Sequence, residues 1–253
     1  MRAFYDELAD DYHLLFRDWD GSMDYQGSVL SALIETYGGQ APRRVLDCSC
    51  GIGTQAIGLE KLGDDFEVTG TDLSPRAAAR ARREAAARGF VLPTAAADMR
   101  ALPFRDATFD VVLSADNSVP HLLTAAAVAE ALAAMRRVLR PDGLLLLTIR
   151  DYDALRRQRP ASTPPQVSER EAGRAIAFQL WHWHPDGERY DLEHFQLVPA
   201  TGDTWDVRVR RATYWALARA QLAGFAEAAG FVEVKWHEPE DTGYYQPVLT
   251  ARR

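Results

Sequence analysis

The only two cysteines of the chain, two closely spaced glycines and one acid meet in the stretch DCSCGIGTQ, Asp47 to Gln55. Such a stretch could be half of a metal site, a phosphate cradle, or a nucleotide loop that takes no phosphate. A structural zinc site needs a second ligand pair, which the sequence does not supply. A bridge between Cys48 and Cys50, one residue apart, would strain disulfide geometry. Two small, buried, reduced thiols in a tight turn is the preferred reading, and no metal is expected.

The segment from Gly51 through Gly53 to Ala56 fits a dinucleotide fingerprint, with Asp72 about 20 residues on to take ribose hydroxyls. A nicotinamide dinucleotide would bring a pyrophosphate to this loop, and Asp47 just before it would repel that anion. S-adenosylmethionine carries no phosphate. Its sulfonium and ammonium groups make an acid at Asp47 favourable. Asp47, Asp72, Asp98 and Asp116 all close expected strands, where ligands of open parallel sheets sit. Singly, each could be a cap or turn former; together they need a partner.

The elements that must position them follow from periodicity. A helix is expected over Phe4 to Phe16, with Phe4, Leu8, Tyr12 and Leu15 at helical spacing. A second is expected over Tyr25 to Tyr37. Pro42 and Arg43 lead into the strand of Val45 and Leu46. A helix over Thr54 to Leu62 and a strand over Glu67 to Thr71 follow. Ser74 and Pro75 start a helix that ends at Gly89. Strands near Thr94 to Ala97, Phe109 to Ser114 and Leu144 to Ile149 alternate with a helix over Ala125 to Leu139, and Pro141 to Gly143 forms a turn before the last of these strands. That rhythm implies α/β: a Rossmann-like, mostly parallel sheet of seven strands. It breaks at the proline-rich loop Arg159 to Pro165. Ala175 to His184 and Arg189 to Val198 read as a hairpin, followed by a strand over Trp205 to Tyr214. A helix over Tyr214 to Ala229 and strands Phe231 to Trp236 and Pro247 to Ala251 close the chain. The expected divisions are 1–40 for N-terminal lid helices, 41–150 for the cofactor core, 151–212 for an antiparallel substrate cap, and 213–253 for a helix and strand pair completing the core.

The 253 residues are 47% hydrophobic and 26% charged, with a formal net charge of -7. The acidic balance disfavours nucleic acid, whose phosphates demand Lys and Arg. The arginines of the helix after Pro75 read better as a solvated face than as a basic patch. No apolar run is long enough to span a bilayer, and MRAFYDELADDY is no signal peptide, so no membrane and a cytoplasmic address are expected. The expected partner is a small molecule.

The blocks VLDCSCGIGTQAIGL, VTGTDLS, AAADMRALPF, FDVVLSADNSVPHL and MRRVLRPDGLLLLTIRDYD, in this order and spacing, resemble the core of class I S-adenosylmethionine-dependent methyltransferases over Val45 to Ile149. YDELADDY, NSVPHL and IRDYD are similar to glycine and sarcosine N-methyltransferases and related bacterial small-molecule enzymes. The resemblance implies that Asp47, Cys48, Gly51 and Gly53 shape the methionine end of the cofactor site, although family loops carry glycine or proline at the Cys48 position. It implies Asp72 on the ribose with Leu73 beside the adenine, Asp98 and Met99 in the adenine pocket, and Asp116 at the same rim. Asn117 through His121 would lie under the sulfonium as catalytic residues, and Tyr5 and Tyr12 would belong to the lid over cofactor and substrate. The resemblance further implies that Arg150, at the end of the fifth strand, would match the arginine of the HRNYD segment of glycine N-methyltransferases, which grips the substrate carboxylate there, although RDYD replaces that sequence here; an ion pair with Asp151 or Asp153 is the plainer alternative.

In the Trp181-His182-Trp183-His184 run, strand alternation puts both tryptophans on one face and both histidines on the other. Trp181 and Trp183 could stack a flat acceptor or simply pack on the core, and Tyr244 stands open to the same two readings. The expected reaction moves a methyl group by in-line displacement to a nitrogen of an amino acid, amine or heterocycle, leaving S-adenosylhomocysteine. O- or C-methylation, an NAD-dependent oxidoreductase and a non-catalytic cofactor-binding scaffold are the competing readings. A homodimer is a reasonable expectation for such an enzyme.

Overall fold

The computed structural model describes residues 2–41, 43–170 and 173–253; Pro42, expected to lead into the first strand, lies outside them. Helix α1 (Arg2–Leu8), a 3-10 turn (Tyr12–Leu15) and α2 (Trp19–Tyr37) precede an alternating series. The series runs β1 (Arg43–Asp47), α3 (Thr54–Glu60), β2 (Phe66–Asp72), α4 (Pro75–Ala87), β3 (Thr94–Ala96), β4 (Phe109–Ser114), α5 (Ala125–Val138) and β5 (Leu139–Thr148). Then come α6 (Tyr152–Gln158), β6 (Gln166–Arg170), β7 (Gly173–Trp183), β8 (Arg189–Pro199), β9 (Trp205–Trp215), α7 (Arg219–Ala228), β10 (Val232–His237), α8 (Pro239–Thr242) and β11 (Val248–Arg252).

Seven strands form one sheet in the order β10-β11-β5-β4-β1-β2-β3, and four form a second in the order β6-β7-β8-β9. In the large sheet, β1 pairs in parallel with both β2 and β4, while β11 runs antiparallel to β5. Chain order therefore reverses between β1 and β4, where an open sheet leaves a crevice at its carboxyl edge. Its central strands are buried on both faces: Val112 and Leu145 face one apolar cluster with α5 and α7, Val111 and Leu144 the other with α2 and α3. That explains why these strands read as continuous apolar runs. The second sheet is antiparallel throughout. Among the described residues, no helix is long and apolar enough to cross a membrane.

The capping signals hold. Ser74 accepts from Ala77 N at 3.1 Å with Pro75 in the first turn of α4, as a hydroxyl N-cap does.

Several expected boundaries move. The single helix over Phe4 to Phe16 is broken after Leu8, because the acids there bind in different directions. Asp10 pairs with Arg76 of α4, whereas Asp11 takes Arg208 and Arg210 of β9, each contact at 2.6 Å. Helix α2 begins at Trp19 rather than Tyr25: Asp18 caps it by accepting from Gly21 N at 3.0 Å, a start obscured by the weak helix formers Gly21 and Ser22. The turn expected at Pro141 to Gly143 is instead a register shift inside β5, with Asp142 at φ 61°. Helix α6, capped by Asp151, and β6 flank the expected proline-rich loop, in stretches to which the sequence assigned no element. Helix α7 starts at Arg219, not Tyr214, because Tyr214 and Trp215 pair with Tyr190 and Arg189 as the last residues of β9.

The segment Arg2 to Leu15 acts as a strap between the two sheets. Towards the large sheet, Asp6 accepts from Ser74 Oγ at 2.5 Å, and the Ala9 carbonyl accepts from Arg80 at 2.6 Å. Towards the small sheet, Gln196 Nε2 donates to the Asp11 carbonyl at 3.2 Å beside the two arginines already named.

Candidate active site

At the crevice, the loop after β1 takes a shape that its glycines permit. Gly51 and Gly53 have φ of 52° and 99°, a left-handed backbone that other residues adopt only under strain. A Cβ on Gly51 would meet nothing within 4 Å, so that side of the loop is open to a ligand's approach. The loop is fixed from below: Gly51 N donates to Asp72 Oδ2 at 2.9 Å, and Ser74 N donates to Asp72 Oδ1 at 2.8 Å. Ser49 and Ser114 join the ends of β1 and β4 through their hydroxyls at 2.9 Å.

Asp47 is 1% exposed, and its Oδ2 has no hydrogen-bond partner among the described residues. Burial, together with the charges of Asp72 and Asp116, pushes its pKa up to about 8. A buried carboxylate oxygen without a donor is costly, and an ammonium group placed there would remove the cost. This is the observation in favour of a cationic cofactor, and a pyrophosphate would make the cost larger.

Cys48 does not contribute its side chain. The thiol lies in the apolar cluster beneath the loop, and burial raises its pKa. Both cysteines are free and buried, and no cluster of metal-ligating side chains occurs among the described residues. Asp98 holds Arg100, with N to O at 2.6 Å, so an adenine amino group would share that carboxylate with an existing guanidinium. Leu73 and Met99 stand beside these acids, Met99 packed against the core.

Beyond the loop lies a cavity of about 850 Å³. The strap forms one wall with Tyr5 and Tyr12, the large sheet supplies Asp116, Asn117 and Arg150, and the small sheet supplies Trp181, His194 and Tyr214. The rim acids Asp47, Asp72 and Asp98 do not line it. The expected site residues therefore fall into two groups, a loop group and a cavity group, with Tyr5 and Tyr12 close to both.

Asp116 lies at φ 55° and Asn117 at φ 68°. Such strain in non-glycine residues persists where the surroundings hold it, and here they do. Asp116 accepts from Gln55 Nε2 at 2.7 Å, Tyr244 Oη at 2.8 Å and Tyr245 Oη. Burial still leaves its pKa raised against those donors. Asn117 donates to Tyr152 Oη at 2.9 Å and accepts from Arg150 N at 3.1 Å. Both ends of its amide thus brace the end of β5. Asn117, expected as a catalytic group, also lines the cavity.

Arg150 answers the two readings posed for it. Asp151 and Asp153 both pair with Arg219, and among the described residues no carboxylate oxygen lies within ion-pair distance of Arg150. Its guanidinium donates to Tyr190 Oη at 2.9 Å and Gln179 Oε1 at 3.3 Å, and lies 4.8 Å from the centre of the Trp181 ring and 5.6 Å from that of Tyr214. It is a permanent cation in an aromatic tray. The tray is a stack: Trp181 on Tyr190 at 4.6 Å and Tyr190 on Tyr214 at 5.3 Å, with interplanar angles of 11° and 7°.

His121 closes that stack, 4.0 Å from Tyr214, and meets Tyr5 Oη at 2.6 Å through Nε2. Burial and the charge of Arg150 hold its pKa down to about 3, so the ring is neutral.

Two expected substrate contacts are absent from the cavity wall. Trp183 packs on the core and donates to the Pro160 carbonyl at 3.0 Å. Tyr244 is fully buried behind Asp116 and donates to Gln26 Oε1 at 2.8 Å; its neighbour Tyr245 reaches the cavity instead. His182 and His184 point away as alternation predicts, towards Glu193 and Asp191. Sequence reasoning missed Gln179, Tyr190 and Tyr214 around Arg150, and also His194, an isolated histidine in a strand with no motif around it.

A family model described as a methyltransferase domain matches residues 45–143, the span that carries the loop, the rim acids and the turn before the cavity. The chain carries a class I S-adenosylmethionine-dependent methyltransferase domain. The chain is 35% identical over 157 residues to a glycine/sarcosine N-methyltransferase of Parasynechococcus marenigrum, covering 61% of this chain and 53% of that one. It is 34% identical over 145 residues to a demethylmenaquinone methyltransferase of Thermus thermophilus, covering 56% and 62% respectively. The chain thus spans little more than half the length of these relatives. In three dimensions it is similar to CalS10, an amino pentose methyltransferase of Micromonospora echinaspora with S-adenosylmethionine bound, at a TM-score of 0.72 and 23% identity over 96% of this chain and 95% of that one. S-adenosylmethionine is the cofactor of the methyltransferase domain, and the unpartnered Asp47 oxygen and the open face of Gly51 fit it.

Proposed function

We propose that the protein methylates a nitrogen of a small molecule and releases S-adenosylhomocysteine. The observation that carries this reading is that the cavity wall brings the Asp116 carboxylate together with Arg150, a guanidinium with no carboxylate in ion-pair distance among the described residues, beside the aromatic rings of Tyr5, Trp181 and Tyr214. A carboxylate suits an amine; an unpaired guanidinium suits the anionic end of an amino acid. The glycine/sarcosine N-methyltransferase relative and the amino pentose enzyme support the same class of acceptor.

Bound S-adenosylmethionine supplies a methyl group already activated by a sulfonium centre. In our reading, Asp47 takes its ammonium, Asp72 its ribose hydroxyls, and the backbone of Gly51 and Gly53 its methionine portion. The chain's work is alignment and dehydration, and orienting two reactants is worth roughly 7–11 kcal/mol. The strap excludes water, Arg150 fixes one end of the acceptor, and the rings of Trp181 and Tyr214 limit its tilt. A neutral amine brings its own lone pair, so no strong base is required. A neutral His121 bonded to Tyr5 agrees with that, since it orients the lid tyrosine rather than storing charge. We read residues 1–40 as the lid, 41–150 and 213–253 as the core, and 151–212 as the acceptor cap.

The test is calorimetric titration of the protein with S-adenosylhomocysteine, NAD serving as control. Transfer of a labelled methyl group to glycine, sarcosine and amino sugars is then followed by mass spectrometry. Binding of S-adenosylhomocysteine alone, with label on nitrogen, is expected. Label on oxygen or carbon would replace the nitrogen reading, and NAD binding would remove the whole assignment.

A further inference from the structure

The inner face of the four-stranded sheet changes character along its length. At one end the register aligns Trp183, Tyr190 and Tyr214; next come Trp181, Leu192 and Ala212; then Gln179, His194 and Arg210; then Ala177, Gln196 and Arg208. The third of these rows is where polar groups are left over. His194 is 3% exposed and lines the cavity, yet neither Nδ1 nor Nε2 has a hydrogen-bond partner among the described residues. Directly across the ladder, Gln179 accepts at Oε1 from Arg150 and from Trp181 Nε1, while its Nε2 has no partner among the described residues. The other members of the face are satisfied: Arg210 by Asp11 and Gln196, and Gln196 by Asp11 and Arg210.

Buried polar groups are nearly always paired, and an unpaired one calls for an explanation. Burial, Arg210 and Arg150 hold the His194 pKa down to about 4. The ring is therefore neutral, offering one N–H donor and one lone pair. An anion would be drawn to Arg150 a few atoms away; an ammonium would be repelled by both arginines. The group that matches a neutral imidazole and a free amide is an uncharged hydroxyl, which donates and accepts at once.

We propose that His194, with the Nε2 amide of Gln179, is a hydroxyl-recognising subsite of the acceptor cavity, and that the acceptors are hydroxylated amines. The inference rests on the N-methylation reading above. It names an acceptor feature that Arg150 and Asp116 do not select. A site built to hydrogen-bond a hydroxyl discriminates strongly against the analogue that lacks it, because its own buried groups are then left unpaired.

The test compares trans-2-aminocyclohexanol with cyclohexylamine as methyl acceptors, using the full chain and labelled S-adenosylmethionine. Native protein is expected to favour the amino alcohol about tenfold or more in kcat/KM. His194→Phe is expected to bring the ratio to within about twofold, and His194→Gln, which keeps a donor and an acceptor, to retain part of it. S-adenosylhomocysteine titration of each variant reports whether the fold and the cofactor site persist. Equal use of the two amines by native protein, or a ratio unchanged in His194→Phe, overturns the subsite while leaving N-methylation standing. No label on nitrogen from either amine, while glycine, sarcosine or an amino sugar is methylated, overturns the subsite alone; cofactor binding with no label on nitrogen from any of these acceptors overturns both readings together.

Discussion

The carboxyl edge of the large sheet and the inner face of the small one hold polar side chains in different ways. At the edge, the two loop acids take backbone groups close by in the fold: Asp72 accepts from the amides of Gly51 and Ser74, and Asp47 from Ser49 N at 3.2 Å. On the small sheet the partners are other side chains, delivered by register from strands and strap residues far apart in sequence, as with Arg210, Gln196 and Asp11. The first arrangement makes a rigid seat of fixed shape, suited to a ligand that never changes. The second can be re-specified one side chain at a time, suited to a variable acceptor.

The comparison predicts that damage to the seat is the most severe. Asp72→Ala removes the acceptor of two loop amides. It is expected to weaken S-adenosylhomocysteine binding by about 100-fold or more, on the scale of bonds to charged groups, while circular dichroism shows the protein still folded. Unchanged affinity in calorimetry would place the cofactor elsewhere.

Next in size comes Arg150→Ala. Loss of the unpaired guanidinium should raise KM for a carboxylated acceptor roughly 10- to 100-fold, the scale of one charged hydrogen-bonded contact. Cofactor affinity should stay within a few-fold of native. Steady-state kinetics showing no change for any carboxylated amine would favour acceptors held by stacking alone.

Asp47 sharpens the contrast through protons. Its folded pKa of about 8 stands above the ordinary carboxylate value of about 3.9. Between those values the folded, ligand-free chain retains a proton that the unfolded chain has lost. Stability contributed at this site therefore falls as pH rises from about 4 to 8. Asp47→Asn should flatten that part of the Tm-against-pH curve. A cationic ligand group favours the ionised carboxylate, so S-adenosylhomocysteine binding at pH 7 should release up to about one proton. Calorimetry in buffers of differing ionisation enthalpy reads this directly, and proton uptake would contradict the placement.

The smallest effect belongs to the strap. Asp11→Asn weakens its contacts with Arg208 and Arg210, which hold the Asp11 pKa down despite partial burial. A depressed carboxylate stabilises at neutral pH and loses that contribution as pH falls through its folded value. The variant should therefore lose a few degrees of Tm at pH 7 and converge on native at low pH. An equal deficit across the whole pH range would mean that the charge is not what matters.

The legible parts of the chain were those in which neighbours in sequence are also neighbours in space. The Asp47 to Gln55 loop, Asp72 and the Ser74-Pro75 cap each depend on a few consecutive residues, and the fold class followed from the alternation of strand and helix. Helix α1 could not be bounded from its own sequence, because Asp10 and Asp11 end it by reaching partners about 65 and 200 positions away. Tyr244 and Tyr245 are adjacent, yet one braces Asp116 from inside the core while the other faces the cavity. His194 carries no local signal at all, since its setting is made by Gln179 on one side and Arg210 on the other.

The strap has a kinetic consequence. Tyr5 and Tyr12 line the cavity, and the same short segment is tied to α4 and to β9; if this segment is the lid that we propose, those bonds would part before S-adenosylhomocysteine leaves. Opening of this kind sets the turnover of many enzymes. Rapid mixing of the loaded protein with an acceptor should then show a burst of methylated product equal to the sites present, followed by a slower steady rate. In such a regime raised ionic strength, by loosening Asp10 and Asp11 from their arginines, would quicken the slow phase without touching the burst.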